Sequence, residues 1–172
     1  ARLAFGIAAD TSMAADGWLL RLPGWPEADY LRAAGELLVM TQGANIPVLL
    51  HGDVQRLDRL PAAAGLHLPA AAAAEADAGG LRRRLGERLL TVSAHDPQEL
   101  ARAAALGVDA AFLSPLHATP SHPGQPGLGW SQWRDWVRAA TCPVYALGGM
   151  TPQDVDTARA AGGQGVAGIS GF

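Results

Sequence analysis

The sequence predicts an α/β chain folded as a (β/α)8 TIM barrel, with an irregular or missing helix expected at the first and last units. Three observations point there. Eight short apolar runs of β type follow one another along the chain. Stretches with apolar residues at helical spacing separate most of them. The later runs end in small, hydroxyl or imidazole side chains, the way a parallel α/β protein builds a site at the carboxyl ends of its strands.

The β-type runs are Leu3–Ala9, Trp18–Leu22, Pro47–His51, Gly65–Leu68, Leu89–Ser93, Ala110–Ser114, Val144–Gly148 and Gly165–Ser170. After the second, Glu27–Met40 places Tyr30, Leu31, Ala34, Leu37 and Leu38 on one helical stripe. After the fifth, Pro97–Leu106 does the same with Leu100, Ala103, Ala104 and Leu106. Asp96-Pro97 and Thr151-Pro152 each set a capping side chain before a proline suited to the first helical turn. Gly107, Gly162 and Gly163 fall where helices should stop. Two places fit the barrel badly. Only about eight residues join the first run to the second, too few for a helical crossover between parallel strands. The sequence also ends at Phe172, directly after the eighth run. The expected organisation is one domain over residues 1–172, either part of a longer polypeptide or irregular at the barrel seam.

Composition excludes several classes. The formal charge is −3, and all 13 basic residues are arginine. Without lysine there is no amine for a Schiff base. Arg82, Arg83 and Arg84 read as a solvated helix face, so nucleic acid is not an expected partner. No window approaches the roughly 18 uninterrupted apolar residues of a membrane span, and Glu75 and Asp77 interrupt the Ala-rich run 69–78. No basic, apolar, cleavable leader opens the sequence, so cytoplasmic residence is the expectation. The single cysteine, Cys142, excludes an internal disulfide or a clustered thiolate metal site and reads as a buried thiol. Trp130, Trp133 and Trp136 recur at threes and read as core packing.

The candidate site lies at the strand tips. Gly148-Gly149 lets backbone N–H groups approach a ligand closely, and Gly168-Ile169-Ser170-Gly171 adds amides and a hydroxyl. Phosphate sites in such barrels use the loops after the seventh and eighth strands. The loop from Pro115 to Gly129 is long and rich in Pro, Gly, Ser and His, as binding loops are. Within it Thr119 and Ser121 offer hydroxyls to the same phosphate and His122 a cationic partner. Ser93 and Ser114 end their own runs. His95, just past the fifth run, points toward the mouth and can move protons near neutral pH. His67 reads as a hydrogen-bonded structural histidine inside the barrel. His51 and His117 lack metal-site spacing with any other ligand.

Taken in order, LLRLP, GLHLP, SAH, the SPLHATPSHPG loop, PVYALGGM and GVAGISGF resemble the thiamin phosphate synthase and thiazole tautomerase (TenI-like) superfamily of barrels, from about Trp18 to Phe172. The phrase SHPG…LGW is most similar to the TenI-like domains at the carboxyl end of some Nudix hydrolases. The resemblance implies that Thr119, Ser121, Gly148, Gly149 and Ser170 hold thiazole phosphate. It implies that Arg21 is the arginine of the family's Gln-Leu-Arg-x-Lys tip, with Leu19 and Pro23 replacing its glutamine and lysine. Where the synthases carry Asn-Asp after the third strand, His51-Gly52 stands, with Asp53 one residue late. Ala72 occupies the position of their second magnesium-ligating aspartate and His122 that of their sixth-loop lysine. His95 matches a histidine implicated as proton carrier in the tautomerases, and Pro115 replaces their second histidine.

These departures weigh against a reaction that ionises a pyrimidine pyrophosphate with magnesium. The resulting expectation is a thiamin-related domain that binds a thiazole phosphate or similar small phosphorylated ligand. It would use no metal or other cofactor, with His95 as acid and base in tautomerase-like proton transfer. The ligand-binding set is Arg21, Ser93, Ser114, Thr119, Ser121, His122, Gly148, Gly149, Ser170 and Gly171. Two alternatives stand beside it: a non-catalytic sensing domain tethered to an N-terminal Nudix hydrolase, and thiamin phosphate synthase itself. A second copy of the chain is a further candidate partner; a membrane is not.

Overall fold

The computed structural model describes residues 15–119 and 126–169 and the backbone of residues 5–6. Eight parallel strands close into a barrel in sequence order. They are β1 Phe5–Gly6, β2 Gly17–Leu20, β3 Val48–His51, β4 Gly65–Leu68, β5 Leu89–Ala94, β6 Ala110–Leu113, β7 Val144–Leu147 and β8 Gly165–Gly168. The helices are α1 Glu27–Gln42, α2 Gln55–Arg59, α3 Ala70–Glu75, α4 Ala78–Leu85, α5 Pro97–Ala105, α6 Gly129–Ala139 and α7 Val155–Ala160. The seam is closed by β1, where Phe5 pairs in register with Gly17 on one side and Ala167 on the other. Of the run expected from Leu3 to Ala9, Phe5–Gly6 is described, as β1, and the remainder lies outside the described residues. The connection between β1 and β2, where no helical crossover is expected, lies outside the described residues at positions 7–14.

Each strand is covered on both faces, so the runs are apolar throughout rather than alternating. The period of two still sorts them. Leu19, Leu49, Ala110, Phe112, Tyr145 and Ala167 fill the barrel interior. Their neighbours Trp18, Leu20, Val48, Leu50, Ala111 and Leu113 face the helical layer. Continued one step past the interior, the same alternation brings Arg21, His51, Ser93 and Ser114 to one mouth. Burial pushes the Tyr145 hydroxyl up to about 12, so it stays neutral inside the barrel.

The helices follow local chemistry. Asp96 accepts from the Glu99 N–H with Pro97 in the first turn of α5, and Thr151 and Asp154 form a reciprocal capping box before α7. The Ala-rich stretch breaks into α3 and α4, with Asp77 capping the second through the Gly80 N–H. Among the described residues no helix is long and apolar enough to cross a membrane. Arg83 and Arg84 are exposed, as expected, while Arg82 is half-buried: it reaches the Gly107 carbonyl and Asp109, and Arg84 pairs with Asp58 at the surface, tying α4 to its neighbours. Cys142 is half-buried rather than buried, and burial raises its thiol pKa, which disfavours a reactive thiolate. Trp133 is fully buried, while Trp130 and Trp136 pack against the core from its edge.

Candidate functional site

A cavity of about 560 Å³ opens at the carboxyl ends of the strands. Of the residues singled out from sequence, Arg21, Ser93, His95, Ser114, Thr119, Gly148 and Gly149 line it together. Ser121, His122, Ser170 and Gly171 lie outside the described residues. His51, His67, Phe112, Met150 and Ile169 also reach the cavity. No carboxylate stands among its described lining residues, which number one arginine and three histidines among their titratable groups. A larger depression of about 720 Å³ lies at the opposite end, where β3 begins, and Arg59 is its one titratable lining group among the described residues. It lacks acid–base chemistry, so the mouth is the candidate site.

His95 follows directly from β5, inward like Ser93. Its Nδ1–H donates to Glu99 Oε2 at 2.9 Å, and its backbone N–H donates to the same oxygen at 2.7 Å. Glu99 is placed by α5, whose cap Asp96 holds the Glu99 N–H at 2.8 Å. One carboxylate therefore fixes both the backbone and the ring of His95. With Nδ1 committed, proton exchange falls to Nε2.

His67 is fully enclosed on the inner face of β4. Its Nδ1 shares a 2.9 Å hydrogen bond with Thr91 Oγ1 and its Nε2 a 2.9 Å bond with Ser93 Oγ. A neutral imidazole gives one N–H and accepts at the other nitrogen, so both ring atoms are satisfied. Burial holds its pKa down at about 3. This is the hydrogen-bonded structural histidine expected from the sequence, and it anchors the Ser93 hydroxyl at the cavity wall.

Gly148 and Gly149 have φ of +105° and +71°. The space a Cβ would need at Gly148 is occupied by the Leu116 nitrogen and Pro115 Cα at 2.9 Å, and at Gly149 by His117 Cβ at 3.2 Å. The glycines thus seat the sixth loop against the seventh tip, in addition to leaving backbone open at the cavity. The loop returns this with Leu116 N–H to Leu147 O and His117 N–H to Gly148 O.

The roles of two residues at this site were not read from the sequence. Glu99 was visible as the acidic residue three places after the Asp96 cap, a capping-box spacing. His51 was weighed only as a metal ligand and as the replacement of the synthases' Asn, not as a residue lining the cavity.

Comparison with known proteins identifies the family and the fold. Residues 10–172 match the family of thiamine monophosphate synthase (TMP-TENI). A thiamine-phosphate synthase of Methanoculleus marisnigri is 35% identical over 174 aligned positions, covering 99% of this chain and 77% of that protein. A thiamine-phosphate synthase of Bacillus velezensis is 32% identical over 129 positions, 74% of this chain. The chain spans little more than half, 56%, of that relative's length. In fold, a thiamine phosphate pyrophosphorylase from Pyrococcus furiosus superposes with a TM-score of 0.78 at 16% identity, over 98% of this chain and 85% of that one.

Proposed function

The chain belongs to the thiamine monophosphate synthase family, and from that premise we propose that its barrel mouth binds a thiazole phosphate or a similar thiamin-related phosphate and moves a proton on it through His95. One observation carries this reading: hydroxyl and glycine tips from β5 to β8 meet at a cavity whose described lining holds no carboxylate. Thr119, Gly148 and Gly149 would take the phosphate, joined by Ser121 and Ser170 at positions that match the family. His95, held by Glu99, would take and return the proton at Nε2.

A magnesium ion fits these residues poorly. It demands oxygen donors in near-octahedral array. The third tip offers His51-Gly52, the fourth offers Pro69 and Ala70, and Ala72 sits where an acid would be needed. Asp53 is exposed and spends an oxygen on the Gln55 N–H at 2.8 Å. Among the described residues no three metal-ligating side chains stand together.

The reading is tested by calorimetric titration with thiazole phosphate and an assay for isomerisation of the carboxylated thiazole phosphate, in the presence and absence of EDTA. We expect binding, EDTA-insensitive turnover, and loss of turnover in His95→Ala. Absence of binding at millimolar ligand would overturn it. A second reading, synthase chemistry, is favoured by the names of the relatives; magnesium-dependent formation of thiamin phosphate from thiazole phosphate and the pyrimidine pyrophosphate would establish it instead. Binding without turnover in either assay would point to a sensing domain.

A further inference from the structure

The tip of β3 is built to present an imidazole, and proton transfer by His95 alone leaves it unused. His51 ends β3 one inward step beyond Leu49 and lines the mouth cavity. Its main chain is held from both sides. The backbone N–H donates to Tyr30 Oη at 3.0 Å, and the Arg56 guanidinium donates to its carbonyl oxygen. Tyr30, buried in α1, donates its own proton to the Leu20 carbonyl at 2.9 Å. Arg56 lies 3.6 Å over the Tyr30 ring and binds Glu27 through Nε and Nη2. The His51 ring stacks on His67 with centroids 5.8 Å apart, and Thr91 and Ser93 lock His67 in turn.

Two helices therefore hold the His51 main chain, and the neighbouring strand places a ring against its side chain. Yet no described residue hydrogen-bonds to its ring nitrogens; the bonds of His51 are all to its main chain. A structural histidine spends both nitrogens on the protein, as His67 does. His51 keeps its nitrogens for the cavity.

We propose that His51 is a second catalytic residue of this site, the proton acceptor that works opposite His95 on a phosphate-bearing heterocycle. This rests on the function proposed above. The charged and titratable groups around His51 are Arg21 from the β2 tip, Arg56 from α2, His67 from β4, and Tyr30 and Glu27 behind it from α1. Burial and the two guanidiniums push its imidazole down to about 4, so at neutral pH the ring is unprotonated and weakly basic, with its lone pair free to face the ligand. The ring nitrogen lone pair of His51 takes a proton from one atom of the bound heterocycle. The released electron pair shifts through the heterocycle, and imidazolium His95 delivers its Nε2 proton to a second atom. No electron and no group leaves; the two imidazoles exchange protonation, and solvent resets them.

The test uses the whole chain, diethyl pyrocarbonate with site identification by mass spectrometry, and the variant His51→Gln. His51 should be carbethoxylated in the free protein and protected by thiazole phosphate, while His67 stays unmodified. His51→Gln should lower kcat by about 100-fold or more while leaving thiazole phosphate affinity within about threefold. An unreactive His51, or a folded His51→Gln variant with wild-type kcat, would overturn the assignment and leave the role of His95 standing. A wild-type chain that neither binds nor isomerises the ligand would overturn the proposed function, and this assignment with it.

Discussion

Glu99 Oε2 accepts two hydrogen bonds from His95, one from the ring at 2.9 Å and one from the backbone at 2.7 Å. A single carboxylate oxygen thus sets where the imidazole sits and which nitrogen carries the proton. The residue acts through His95, as a positioning group, because it does not line the cavity itself.

Glu99→Gln separates those two tasks. The amide oxygen can still accept from the His95 backbone, so stability should fall by less than about 1 kcal/mol. The amide can also present N–H to Nδ1 and favour the wrong tautomer, which should lower kcat on the order of 10²-fold with little change in KM. Kinetics alongside urea denaturation checks this. Equal losses in stability and binding would show that Glu99 merely caps α5.

Acid should unfold this chain through its interior. The folded-state pKa values of His67 and His51 lie near 3 and 4, below the unfolded value of about 6.5. Between those limits the unfolded chain binds more protons, so stability present above pH 6.5 is lost as pH falls toward 4. Each histidine contributes a slope of about 1.4 kcal/mol per pH unit at most. Urea midpoints at pH 7 and pH 5 should therefore differ. His67→Gln, which can keep a bond to Thr91 or Ser93, should flatten the dependence; an unchanged slope would place the acid-sensitive group elsewhere.

The barrel itself was legible because its eight strands fall on apolar runs and the intervening caps are local. Asp96-Pro97 and Thr151-Pro152 act where the sequence put them, since a cap needs only three or four neighbouring residues. The inner and outer faces were not legible. Leu19 and Leu20 are alike as letters, and the sheet buries both, so hydropathy cannot say which faces Phe112 and which the helices. His51 was missed for a related reason. What makes it a presented imidazole is Tyr30, 21 positions before it, and the ring of His67, its register partner on the next strand. Glu99 is different: its spacing from Asp96 was readable, but a capping box says nothing about an imidazole facing a cavity.

Gly163 and Trp133 form a packing pair that stability measurements can isolate. A Cβ on Gly163 would run into the Trp133 ring and come within 3.1 Å of the Val144 carbonyl. Gly163→Ala should cost about 1–3 kcal/mol. Trp133 Nε1 is buried with no partner among the described residues, so Trp133→Phe removes an unpaired donor as well as ring volume. The double variant should be more stable than the sum of the single losses predicts, a coupling of about 1 kcal/mol in chemical denaturation. Strict additivity would mean the two residues do not share that space.

The seventh tip makes the sharpest distinction between packing and ligand contact. At Gly148 a side chain meets both a φ of +105° and backbone atoms of Pro115 and Leu116, which cannot step aside singly. Gly148→Ala should therefore displace the start of the sixth loop, cost about 1–3 kcal/mol and weaken thiazole phosphate binding through Thr119. At Gly149 the obstacle is the His117 side chain, which is exposed and can move. Gly149→Ala should cost less, about 1–2 kcal/mol from its φ of +71°, and His117→Ala should recover only the steric part. Hydrogen exchange at the Leu116 and His117 amides, which bond Leu147 and Gly148 carbonyls, reads loop displacement directly. Faster exchange in Gly148→Ala with the Gly149→Ala rate near wild type is the expected pattern. If instead Gly149→Ala abolishes phosphate binding with exchange unchanged, the Gly149 backbone is a ligand contact and the loop is only its neighbour.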